Sequence, residues 1–242
     1  MTATLSERIC ARIVHHLGDK IEVLNHVPFG LRIMCQYRTY AVRSSYSNET
    51  KLEAAHLNEK YPDRNLIFCK FVFNHHLEKA LATNRQPVRV LEVGAGRSIN
   101  ANIIHKLCED GHVERSPEFI LVDRYVNPSK YLDAGVKVVA VMIDATDLDL
   151  SNLPPIHVGI TRATLSLMPP RDAKRAITTM AKSCETLVLN EAAMEGPIRY
   201  PVIRADRHIV HPYQEWLRDL GRSSKLIDWS AHDRTYDGIV VA

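Results

Sequence analysis

The sequence has no apolar run of membrane-spanning length, and its first residues lack the basic-then-apolar pattern of a secretory leader. A membrane partner is therefore not expected, and a cytoplasmic location is. Cysteine is scarce and dispersed: positions 10, 35, 69, 108 and 184 form no Cys-x-x-Cys pair. Such thiols suit a reducing compartment and not a disulfide framework. His15-His16 and His75-His76 have no acid or cysteine companions at ligand spacing, so no metal is expected. Excess charge is missing too. A net charge of +3 and a pI near 8.6, without a basic arm, are too mild to argue for nucleic acid, and no such partner is expected. There is no internal repeat and no low-complexity tract. What remains is the balance of a globular protein: 242 residues, 45% hydrophobic and 24% charged. That length suffices for one large domain or a domain with an appended cap, as a monomer or homodimer.

One further absence is more informative. Residues 88–93 are an apolar, β-branched run that reads as a buried strand. Gly94 and Gly96, with Ala95 between them, then require a tight turn open to a ligand. Ser98 and Asn100 are placed to cap a helix over 101–110. A dinucleotide fingerprint needs a glycine at the sixth position of G-x-G-x-x-G, which here is Ile99. Instead an acid, Glu92, stands two residues ahead of the first glycine.

Acids recur in the same place. A second apolar run, 118–123, ends in Asp123 with Arg124 after it, and a third, 136–143, is followed by Asp144-Ala145. An ionised carboxylate at a strand end is an acceptor for ribose hydroxyls or an exocyclic amine. The pattern continues with a strand at 157–161, Thr161-Arg162 at its end, a helix at 171–182 and a strand at 185–191. An insert, 192–210, a helix at 212–220 and a final antiparallel pair, 225–229 and 237–241, complete the chain.

The stretch Glu92-Val-Gly-Ala-Gly-Arg-Ser98 resembles motif I of the class I S-adenosylmethionine (SAM)-dependent methyltransferases. The resemblance covers residues 86–242. It implies an α/β, Rossmann-like, doubly wound fold with a seven-stranded, mostly parallel sheet and a helical N-terminal cap. It implies SAM as cofactor, with Glu92, Gly94, Ala95 and Gly96 around the amino-acid end. Asp123 would lie at the ribose, with Arg124 after it either solvated or at the adenine, Asp144 and Ala145 at the adenine amine, and Thr161 and Arg162 along the border. Asn152-Leu-Pro-Pro155 is similar to the N/D-P-P-Y/F motif of amino-methylating enzymes, but it precedes the fourth strand instead of following it and is read as a loop.

Residues 1–85 form the expected cap. Leu5, Ile9, Ile13, Val14 and Leu17 fall at helical spacing up to Gly18, and Pro28 and Gly30 place a turn within 24–34. Helices are expected at 49–59 and 66–81, the latter with Ile67, Phe71, Leu77 and Leu81 inward. Ahead of both, Tyr37, Tyr40, Arg43 and Tyr46 are either a packing surface or a lid. In the lid reading, Arg38 or Arg43 meets the SAM carboxylate and the aromatic faces meet the sulfonium.

The expected activity is methyl transfer to a small molecule. If the acceptor must lose a proton, the candidate bases are Tyr200, His208 and His211, with Glu191 nearby. Three alternatives stay open: transfer or cyclisation of SAM's own side chain with release of methylthioadenosine, a non-catalytic SAM-binding partner subunit, and a nicotinamide oxidoreductase.

Overall fold

The structure is a computed structural model that describes residues 4–17, 24, 29–47, 62–84, 86–111, 113, 115–145, 150, 153–193, 198–205, 207–234 and 236–242, with 42–47 and 62 described by backbone alone. The expected helix at 49–59 and Asn152 lie outside the described residues. Strand β1 (Arg89–Val93) is the centre of a seven-stranded sheet. Its neighbours are β2 (Glu118–Val122) and β4 (Ile156–Arg162), both parallel to it. β3 (Lys137–Met142) adds to β2 and β5 (Cys184–Glu191) to β4, again in parallel. The late strands β8 (Lys225–Asp228) and β9 (Gly238–Val241) complete the order β3-β2-β1-β4-β5-β9-β8, with β9 antiparallel to both neighbours. The strand order reverses between β1 and β4, so the carboxyl ends of these strands frame a crevice.

Strand periodicity divides the core into two layers. Val90, Phe119, Leu121, Val158 and Ile160 face α5 (Ile99–Asp110) and a helical run from the N-terminal part: α3 (Pro62–Val72), a π-turn (Phe73–Leu77) and α4 (Glu78–Thr83). Leu91, Val93, Ile120, Val122, Leu187 and Leu189 face α6 (Pro170–Ser183) and α7 (Tyr213–Asp219). Each fully buried Leu or Phe in these layers is worth about 2 kcal/mol over exposure.

The remaining N-terminal helices, α1 (Leu5–Leu17) and α2 (Gly30–Ser47), pack on each other through Cys10, Val14, Ile33 and Met34. Ile203 joins them from a hairpin of β6 (Val202–Ile203) and β7 (Ile209–Val210), the regular part of the 192–210 insert. Thus α1 and α2 form a cluster of their own, whereas 62–83 lies against the sheet. Among the described residues no helix is long and apolar enough to cross a membrane.

Two expectations about local structure are corrected. The helix expected over 66–81 already begins at Pro62, because proline is tolerated in a first turn where its missing N–H has no partner to lose. The inward stripe of that run is Phe68, Val72, Leu77 and Leu81, while Ile67 and Phe71 are only partly buried. The five-residue step from Val72 to Leu77 is the π-turn, which shifts the buried face and defeats a strict 3.6 periodicity.

Candidate functional site

The turn after β1 is held in left-handed backbone at Gly94 (φ 81°), Gly96 (φ 53°) and Ser98 (φ 57°). The Gly94 and Ala95 amides both donate to the Val122 carbonyl, at 2.8 and 3.0 Å, which folds the corner onto the end of β2. The Gly96 amide donates to Asp123 Oδ2 (2.9 Å), while Asp123 Oδ1 accepts from the Tyr125 and Val126 amides at 2.8 and 2.9 Å. Asp123 thereby fixes two turns at once and keeps acceptor capacity on a carboxylate. Ser98 does not cap the helix. Its backbone is left-handed and its buried hydroxyl donates to the Pro128 carbonyl (2.9 Å), so α5 begins at Ile99 without a side-chain cap.

Glycine at position 94 is required by a neighbour as well as by φ. A Cβ there would lie 1.9 Å from Thr164 Oγ1, in the loop after β4. Gly94→Ala is expected to destabilise the fold by about 2 kcal/mol from the left-handed backbone and the collision together. Adding Thr164→Ala should recover part of that loss, read as thermal melts of both variants. Equal melting of the single and double variants would deny the contact.

Glu92 is 2% exposed at the end of β1 and shares the α5 face of the sheet with Val90. Its Oε1 accepts from Asn100 Nδ2 at 2.8 Å, and Asn100 Oδ1 in turn takes the Asn65 amide (3.4 Å) and the Cys69 thiol (3.5 Å). Oε2 is buried with no hydrogen-bond partner. Burial pushes the carboxyl up to about 8; the Asn100 hydrogen bond opposes this and the charge of Asp123 adds to it. A cationic donor at Oε2 would satisfy the orphaned atom and favour the ionised form. Farther along the edge, Asp144 pairs with Arg124 at 3.6 Å, Arg124 being 54% exposed, and Ala145 is buried beside β2. An exposed pair of this kind is worth little and is easily exchanged.

On the other side of β1 the residues differ in character. Thr161 is buried and its hydroxyl donates to Glu191 Oε1 (2.8 Å). Glu191 also accepts from the amides of Thr164, Leu165 and Ser166 and from the Ser166 hydroxyl, all within 3.2 Å. It is a buried hub that shapes the loop after β4. Arg162 reaches Asp233 Oδ2 at 3.0 Å, and Arg64 meets Oδ1 of the same carboxylate at 3.3 Å. Asp233 and Tyr236 lie in the β8–β9 loop and were not singled out from the sequence. The signal was a run of polar residues at the carboxyl end of β8.

The three candidate bases stand in different places. Tyr200 is 78% exposed ahead of β6. His211 is 1% exposed and stacks on Trp216 at 5.3 Å; its Nε2 lies 2.9 Å from the Leu165 carbonyl, which can only accept, so that nitrogen carries the proton. Burial pulls it down to about 4, so it is neutral and fixed by packing. His208, in the hairpin, places Nε2 3.1 Å from the Tyr236 hydroxyl. Of the aromatic segment in α2, Tyr37 accepts from Arg207 Nη1 (3.1 Å), whose guanidinium also covers its ring. Tyr40 is half-buried, and the side chains of Arg43 and Tyr46 lie outside the described residues. Among the described residues no three His, Cys, Asp or Glu side chains are grouped to hold a metal ion.

Strand order, glycine corner and helix layers together define the fold of the class I, Rossmann-like SAM-dependent methyltransferases. No family model and no curated protein matches the chain. Among solved structures it is similar to the magnesium protoporphyrin IX methyltransferase ChlM of Synechocystis PCC 6803 with bound S-adenosylhomocysteine: 15% identity over 84% of this chain and 97% of ChlM, TM-score 0.53. An O-methyltransferase family protein of Burkholderia thailandensis aligns at 13% identity over 73% of this chain and 57% of its own, TM-score 0.49. LepI in complex with SAM aligns at 13% over 68% and 45%, TM-score 0.48. The chain thus spans little more than half of the Burkholderia protein and less than half of LepI. At these identities the likeness is one of fold.

Proposed function

We propose that the protein is a SAM-dependent methyltransferase acting on a small-molecule acceptor. The observation that carries this is Glu92, a buried carboxylate with one oxygen lacking a partner, at the head of a row of acids on β1, β2 and β3. Glu92 Oε2 would take the ammonium of SAM, Asp123 the ribose hydroxyls, and Asp144 the adenine amine once Arg124 has swung aside. The left-handed glycine corner lets the ligand approach bare backbone. When bound, SAM supplies a methyl group on a sulfonium, which passes to the acceptor's nucleophilic atom as the C–S bond breaks.

The chain's own contribution is position and proton removal. His208 Nε2, held against the Tyr236 hydroxyl, is the base we assign for an acceptor hydroxyl or amine. Purified protein incubated with SAM alone and followed by mass spectrometry tests the reading. Bound, intact SAM is expected, with S-adenosylhomocysteine formed only when an acceptor is added. Methylthioadenosine formed without an acceptor would mean that SAM's side chain, not its methyl group, is what reacts.

A further inference from the structure

The carboxyl edge of the sheet is electrically divided. Glu92, Asp123 and Asp144 occupy the β1, β2 and β3 side. Over β4, β5 and β9 arginines gather among the acids. Arg162 leaves the end of β4 with its side chain only 12% exposed, and Arg64 from α3 converges with it on Asp233. One carboxylate therefore serves two guanidiniums. The Arg162 guanidinium stands 6.0 Å over the Tyr236 ring, and the charges of Glu191, Arg38, Arg162 and Asp233 all act on the Tyr236 hydroxyl. The other buried acid here, Glu191, is turned into the loop after β4 and accepts from amides and hydroxyls. Arg162 Nε is a buried donor with no acceptor.

A sulfonium placed beside this half adds further positive charge, and low-dielectric walls strengthen its field. We propose that the acceptor, above β4, β5 and β9, carries a carboxylate or phosphate held by Arg162 beside the Tyr236 hydroxyl. This rests on the methyltransferase reading and names its substrate class. A planar oxyanion fits the guanidinium fork, and a charged donor–acceptor pair in a desolvated site is strong. Tyr236 is anchored for the task. Its own carbonyl accepts from Asn190 Nδ2 (2.8 Å) and its hydroxyl meets His208, so the phenol is set between Arg162 and the base.

The test uses the full chain saturated with S-adenosylhomocysteine and titrated by calorimetry with benzoate, phenyl phosphate and the neutral analogue benzamide. Benzoate or phenyl phosphate should bind at least about tenfold more tightly than benzamide, and whichever is preferred assigns carboxylate or phosphate. Arg162→Lys should remove most of that preference. Tyr236→Phe, which keeps the ring and its packing, should weaken the anion by a few-fold even if the arginine variant folds poorly. Equal binding of benzoate, phenyl phosphate and benzamide, or none by any of them, overturns the proposal. So does an anion that raises the apparent Kd of S-adenosylhomocysteine in proportion to its concentration, since Arg162 would then serve the cofactor's own carboxylate. Failure of S-adenosylhomocysteine to bind at all is a separate outcome; it removes the methyltransferase reading and this subsite with it.

Discussion

Glu191→Ala is expected to lose about 4 kcal/mol of stability, which for a chain of this size is a fall of roughly 8–16 °C in Tm. The carboxylate accepts from the Thr161 and Ser166 hydroxyls and from the amides of Thr164, Leu165 and Ser166. Alanine would leave those donors in a buried pocket with nothing to accept them. Each such group costs on the order of 1–3 kcal/mol if it stays dry, and entering water offsets part of the sum. Glu191→Gln is expected to cost at least half as much, because its amide group presents a donor to donors. The loop after β4 should also loosen, seen as faster amide exchange at Leu165 and Ser166. Unchanged melting of Glu191→Ala would show that the loop is held by something else.

Glu92→Gln should weaken SAM binding by roughly one to two orders of magnitude and abolish its pH dependence. In the wild type the carboxyl is held up to about 8 by burial, so most of it is protonated at neutral pH before ligand arrives. The groups around it are the Asn100 amide, the Cys69 thiol and the Asp123 carboxylate. Only the ionised form pairs with an ammonium. Affinity should therefore rise about tenfold per pH unit below 8 and level off near it, with one proton released per ligand bound. The same shift has a stability consequence of opposite sign. Between the ordinary carboxyl range and about pH 8 the folded chain holds a proton that the unfolded chain has lost. Stability must therefore fall as pH rises through that window, and Glu92→Gln must lack the fall. A wild-type affinity flat from pH 6 to 8 would contradict the buried, protonated carboxyl.

Much of the fold was legible because its strands are short apolar runs ended by acids or glycine. The expected strand at 118–123 is β2, and those at 225–229 and 237–241 are β8 and β9, each within a residue or so. The row of acids at the ends of β1, β2 and β3 was legible for the same reason, since an acid after a buried strand is a local pattern. The grouping of residues on the other half of the edge was not. Arg162, Asp233, Tyr236, His208 and Arg38 come from four separate segments, and only tertiary folding makes them neighbours. Ser98 misled because a serine before a helix has two ways to use its hydroxyl, and the left-handed turn turns it away from the α5 amides. His211 carries the residue type of a base, but nothing in the sequence shows that Trp216 and the Leu165 carbonyl enclose it. The π-turn at Phe73–Leu77 is visible in hindsight as the five-residue step between Val72 and Leu77.

The most direct measurement is a calorimetric titration of S-adenosylhomocysteine, with NAD as control, into wild type and Glu92→Gln at pH 8. One site per chain is expected for S-adenosylhomocysteine and none for NAD, with the Glu92 variant folded but binding far more weakly. Binding of NAD in place of S-adenosylhomocysteine would contradict the assignment of the corner. Equal affinity of the two proteins for S-adenosylhomocysteine would contradict the role of Glu92.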